Sequence, residues 1–110
     1  MYLPKKDVYD SLKTLPYYVS QTQPPIFNDL PAIIFSVGNN AISTDLNGEI
    51  SSQDIEIQID IWAEESVQAS EILSQVEEIM RSNLYIMSFS NDVPNVSNLY
   101  HIVCRFAKQI

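Results

Sequence analysis

Residues 51–65 read SSQDIEIQIDIWAEE, in which Ile55, Ile57, Ile59 and Ile61 alternate with Asp54, Glu56, Gln58 and Asp60 before the run ends on Trp62. Alternation with period two puts the four isoleucines on one side of an extended strand, whereas a helix would scatter them around its axis. A strand of this kind needs a second layer to cover its apolar face. The remaining question is what the carboxylate face does.

The covering layer is legible directly downstream. From Ser66, a candidate N-cap, apolar residues recur at Val67, Ala69, Ile72, Leu73, Val76, Ile79 and Met80. This spacing predicts a helix over 66–82 with one apolar stripe. Val8, Leu12 and Leu15 predict a short first helix over about 5–14, begun by Pro4 and stopped by Pro16. Between them, residues 16–31 hold Pro16, Pro24, Pro25 and Pro31 with Tyr17, Tyr18, Ile26 and Phe27. With no glycine, this stretch reads as an extended arm carrying anchors.

AIIFSV (32–37) reads as a strand covered on both faces, and polar residues 38–48 as a turn region centred on Asn47-Gly48. LYIMSFS (84–90) reads as another strand, NDVPNVSN (91–98) as a loop, and LYHIVCRFAKQI as a closing strand with Tyr100, Ile102, Cys104 and Phe106 on one face. The expected fold is α+β. It is a two-layer sandwich, a mostly antiparallel sheet of about four strands with a long helix on one face and a short N-terminal helix. The 110 residues fit one domain, with helix and arm in 1–31 and sheet and main helix in 32–110.

Charge and composition exclude several functions. Six basic residues stand against fourteen acidic, a net charge of −8, which leaves no basic surface for nucleic acid. Gly38 and Gly48 are the only glycines, so a Gly-rich phosphate loop is absent. Cys104 is the only cysteine; no disulfide forms within the chain, and a reducing setting is expected. The start, MYLPKKDVYDSL, lacks the apolar core of a secretory signal, and no apolar run reaches bilayer length.

Three constellations invite a chemical reading. STDLNGEISSQD (43–54) places Asp45, Asn47, Gly48, Ile50 and Asp54 at calcium-loop positions. Ser43 stands where the first ligand belongs, and Asp54 where a bidentate Glu belongs. The flank is a strand rather than a helix, so a hairpin turn is the expected structure. His101 and Cys104, three apart on a strand, point to opposite faces and cannot share a metal; a catalytic His101 lacks a nucleophile in an elbow context. Asp54, Glu56 and Asp60 lie on one side of the strand and could pair as acid and base, but glycosidase chemistry needs a larger cleft, and solvated carboxylates are the simpler reading. No enzyme, cofactor or metal site is expected. Trp62, at the strand end, is an anchor either for its own core or for an interface, as are Tyr17, Tyr18 and Phe27 on the arm.

LPAIIFSV (30–37), the polar stretch with Asp45, IEIQIDIWAE (55–64) directly before the helix, and the closing NLYHIVCRF (98–106) together resemble the tail terminator proteins of long-tailed bacteriophages, also called tail-completion or tail-to-head joining proteins. Asp60, Trp62, His101, Arg105 and Phe106 occupy the family's D-x-W and H…RF places. The resemblance implies an α+β subunit that forms a six-fold ring on the head-proximal end of the tail tube. The ring ends tube polymerisation and meets the head connector or stopper protein, with no catalysis and no cofactor. Its partners would be further copies of itself, the tail tube protein and the connector. DNA would pass through without specific binding, and no membrane is involved. In that setting Glu56, Gln58 and Asp60 are candidate channel-lining residues. Tyr17, Tyr18, Phe27, Trp62, His101 and Arg105 are candidates for subunit, tail or head interfaces. The alternatives are a neck or connector-stopper subunit, or a small bacterial module that binds a ligand or protein with Tyr100 and His101 near a pocket.

Overall fold

The computed structural model describes residues 4–21, 30–93 and 99–109, without the side chains of Asn39, Ile50 and Ser51. The elements are α1 (Pro4–Leu12), β1 (Tyr18–Gln21), β2 (Ala32–Thr44), β3 (Ile50–Ala63), α2 (Ser66–Ser82), β4 (Ile86–Val93) and β5 (Tyr100–Gln109). Among the described residues the strands form one sheet in the order β1-β2-β3-β5-β4. Strand β1 pairs parallel with β2, while the β2–β3, β3–β5 and β4–β5 pairs are antiparallel.

The isoleucine strand occupies the centre of the sheet. Ile55, Ile57, Ile59 and Ile61 are all buried. Opposite them on the same face come Ile33 and Phe35 of β2 and Ile102, Cys104 and Phe106 of β5. Helix α2 closes this face with the buried stripe Ala69, Ile72, Val76 and Met80, and α1 adds Val8 and Leu12. Each buried isoleucine contributes about 1.5–3 kcal/mol relative to exposure, so the alternation seen in the sequence is the dominant local determinant of the fold.

The α+β two-layer reading holds, with corrections. There are five described strands rather than about four, because Tyr18–Gln21 of the arm becomes a parallel edge strand. Extended backbone beside prolines has the same dihedrals as a strand, and only a pairing partner tells them apart. Strand β2 is also longer than the expected 32–37, because it stays paired with β3 through most of the expected turn region. Their ladder runs from Ala32↔Trp62 out to Thr44↔Ile50, which shrinks the turn to residues 45–49. Ser66 is the first helical residue rather than the cap. Glu65 takes the cap position with no side-chain hydrogen bond, and the expected apolar Val67 is exposed.

At its far end α2 stops in a Schellman motif. The Tyr85 N–H donates to Met80 O at 2.9 Å and the Leu84 N–H to Arg81 O at 2.9 Å. Leu84 takes the left-handed position, φ 69°, usually given to glycine, and its side chain is 76% exposed. Tyr85 then turns back into the core, which fixes where β4 begins.

The molecule measures 54 × 24 × 23 Å. A 14-residue strand spans about 46 Å, so the β2–β3 hairpin sets the long dimension. Among the described residues β3 has no partner in β5 beyond Asp54, and the hairpin continues there as two strands alone.

Candidate functional site

Because β3 sends its isoleucines inward, Asp54, Glu56, Gln58, Asp60 and Trp62 share the outer face of the sheet, away from both helices. The antiparallel β3–β5 register sets Trp62 beside His101, Asp60 beside Val103, Gln58 beside Arg105 and Glu56 beside Ala107. All three candidate channel residues, Glu56, Gln58 and Asp60, therefore lie in one row on one half-buried face.

Trp62 and His101 stack, with ring centroids 3.8 Å apart and planes 13° from parallel. His101 Nε2 lies 3.3 Å from Asp60 Oδ1, out of line for a hydrogen bond, so the contact is electrostatic in character whenever the imidazole is protonated. Gln58 Nε2 donates to the same oxygen at 3.4 Å. Asp60 is thus engaged from two sides, and Trp62 and His101 form one apolar slab at the end of the acidic row. Ring and carboxylate are tied to each other, with no nucleophile between them.

Cys104 points the other way, into the core, as its parity requires. Its thiol donates to Ile59 O at 3.4 Å, and burial, helped by the Asp60 charge, pushes its pKa up to about 12. At neutral pH such a thiol stays protonated, which makes it a poor nucleophile as it stands. No group of three or more potential metal-binding side chains occurs among the described residues. Asp45 is occupied by its turn: its Oδ1 accepts from the N–H groups of Asn47 and Glu49, both at 2.9 Å. Gly48, at φ 81°, supplies the left-handed turn residue.

The remaining interface candidates separate. Tyr17 packs against the core in its own chain, and its hydroxyl donates to Gln75 Oε1 at 2.9 Å. Tyr18 is exposed on the edge strand β1. Phe27 lies outside the described residues. Arg105 sits on the outer face with its guanidinium 5.2 Å from the Phe89 ring centre and makes no ion pair among the described residues. Phe89 and its neighbour Ile86 escaped sequence reading because a register shift between Met87 and Phe89 resets the alternation of β4.

A recess of about 420 Å³ lies where the start of α2 faces the ends of β4 and β5, lined in part by Ser66, Ser70, Asp92, Tyr100 and His101. No helix among the described residues is long and apolar enough to cross a membrane.

No protein-family model matches the chain, and no curated protein matches it. The fold does recur among solved structures. One of the chains it resembles belongs to the virion of a native gene transfer agent particle, with a TM-score of 0.60 and 13% sequence identity. The likeness covers 93% of this chain and 90% of that one. At that identity the shared property is the fold.

Proposed function

We propose that this chain is a structural virion protein, and within that class a tail terminator. It caps the head-proximal end of a phage tail tube, ends tube polymerisation and, as a ring, forms the joint to the head connector. The observation that carries the proposal is the near full-length likeness of fold to a chain of a gene transfer agent virion, with almost no unmatched length on either side. The D-x-W strand entering α2 and the H…RF closing strand support the narrower reading, since Asp60, Trp62 and His101 meet in one cluster. The chain acts by contact and not by catalysis, in the virion once assembled and in the host cytoplasm before that. Its partners are further copies of itself, the tail tube protein and the connector or stopper protein.

The acidic row has a place in this function. Lining the channel, Glu56, Gln58 and Asp60 would present negative charge to passing DNA and discourage sticking. The test of the terminator role is tail length. Particles assembled without this chain should carry tubes of uncontrolled length that do not join heads. Tubes of normal length, still joined, would contradict it.

One observation favours a second reading. The recess beside Tyr100 and His101 is large enough for a small ligand, as a binding module would require. A ligand-binding module is stabilised thermally by its ligand as a monomer, whereas a ring subunit responds to copies of itself.

A further inference from the structure

We propose that the tip of the β2–β3 hairpin docks on the outer face of β4 and β5 in a second copy of this chain, with Leu46 seated against Ile86 and Phe89 and Glu49 facing Arg105. The inference rests on the ring reading above and names the two surfaces that make the ring.

The tip is built firmly and then left unused by its own chain. The Asp45 N–H donates to Glu49 O at 2.7 Å, the Gly48 N–H to Asp45 O at 3.1 Å, and the Asp45 carboxylate holds two further N–H groups. Lower down, Gln53 Nε2 donates to Asn40 Oδ1 at 2.7 Å. A turn of this quality needs only polar residues, yet it carries Leu46 at 105% exposure, with Ile42 also exposed on the arm behind it. An apolar side chain held out at the end of a hydrogen-bonded hairpin has the form of an anchor for another surface.

A matching surface exists on the same chain. On the outer face, Ile86 is 75% exposed and Phe89 43%, and Arg105 lies over Phe89. The chain carries −8 overall, so two copies repel unless a contact brings opposite charges together. Arg105 is the cation of this outer face among the described residues, flanked across the β3–β5 ladder by the carboxylates of Glu56 and Asp60, so the opposite charge it offers is confined to the Phe89 side of the patch. The hairpin tip is acidic through Asp45 and Glu49. Asp45 is consumed by the turn, which leaves Glu49 as the partner for Arg105. Tip and receiving patch are different surfaces, so the contact is head-to-tail, the kind that closes into rings.

The test is sedimentation of the purified full-length chain from micromolar to millimolar concentration. The wild type should associate. Leu46→Asp (tip removed) and Phe89→Thr (receiving patch removed) should each need at least about tenfold more protein for the same association, as for loss of a central anchor. An equimolar mixture of the two should recover one-to-one dimers, because each variant retains the surface the other lacks. Far-UV circular dichroism checks that both fold, and Arg105→Glu replaces Phe89→Thr if that variant does not. A wild type that stays monomeric throughout, or a Leu46→Asp variant that associates like the wild type, overturns the contact. A monomeric wild type would count against the ring reading as well, whereas association that survives Leu46→Asp overturns this contact alone; labelling of particles decides the virion reading separately.

Discussion

Trp62 and His101, on neighbouring strands, lie face to face at 3.8 Å, and the imidazole edge reaches to 3.3 Å from the Asp60 carboxylate. The three side chains carry both the period-two strand and the closing strand into a single cluster. Cutting Trp62 to Ala should cost about 2 kcal/mol of stability and His101→Ala about 1 kcal/mol, the difference reflecting the larger ring. In a double-mutant cycle read by urea unfolding, the pair should couple by about 0.5–1.5 kcal/mol. Additive effects would mean that the stack contributes only its separate burials.

Leu84 is a second such local device. It occupies a left-handed position that a leucine side chain opposes, and the side chain itself is exposed. Leu84→Gly should therefore raise stability by about 0.5–1 kcal/mol, against the usual cost of placing glycine in a folded chain. Chemical denaturation measures it, and a loss of stability would show that the leucine does more than fill the turn.

Cys104 sets a pH dependence. Its pKa is raised from 9.0 to about 12 by burial. Below 9 the thiol is protonated in both folded and unfolded chains, and its contribution is fully present. Above 9 the unfolded chain loses the proton and the folded chain keeps it, so stability falls as pH rises toward 12. The limiting slope is about 1.4 kcal/mol per pH unit. The wild type should lose stability faster than Cys104→Ala across that window, which isolates the thiol from every other group in the chain. Equal slopes would place the thiol in contact with water. A thiol reagent at neutral pH should likewise label only unfolded protein.

The amino-terminal segment completes its own subunit's core. Val8 and Leu12 are buried, Tyr17 reaches α2, and β1 is hydrogen-bonded to β2. Deleting residues 1–21 should give a chain that does not fold cooperatively, visible as loss of the thermal transition. A folded deletion product would mean that these contacts are dispensable in one subunit and suited to a neighbour.

Within an assembled particle, Glu56→Lys should slow DNA ejection while leaving the subunit's thermal midpoint within a few degrees. Glu56 is preferred to Asp60 for this test because Asp60 already serves His101 and Gln58. Unchanged ejection kinetics would remove the channel-lining role.

How much of this was legible beforehand follows from the range of each interaction. The isoleucine strand, the stripe of α2 and the Asn47-Gly48 turn are set by residues a few positions apart, so their pattern sits in the sequence. Strand β1 is four residues between prolines, and its strand character comes from β2. The Trp62–His101 stack depends on the register of two strands separated by α2 and β4, which no local pattern encodes. His101, Trp62 and Asp60 could be singled out separately, but not as one cluster. Phe89 was hidden by a one-residue shift in β4, and Leu46 by the polar residues around it.

Immunogold electron microscopy of particles from the source lysate, with an antibody against this chain, decides whether the chain is part of the virion. Label confined to the junction of tail and head is the expected result. Unlabelled particles, with the protein left in the soluble fraction, would contradict a virion role altogether.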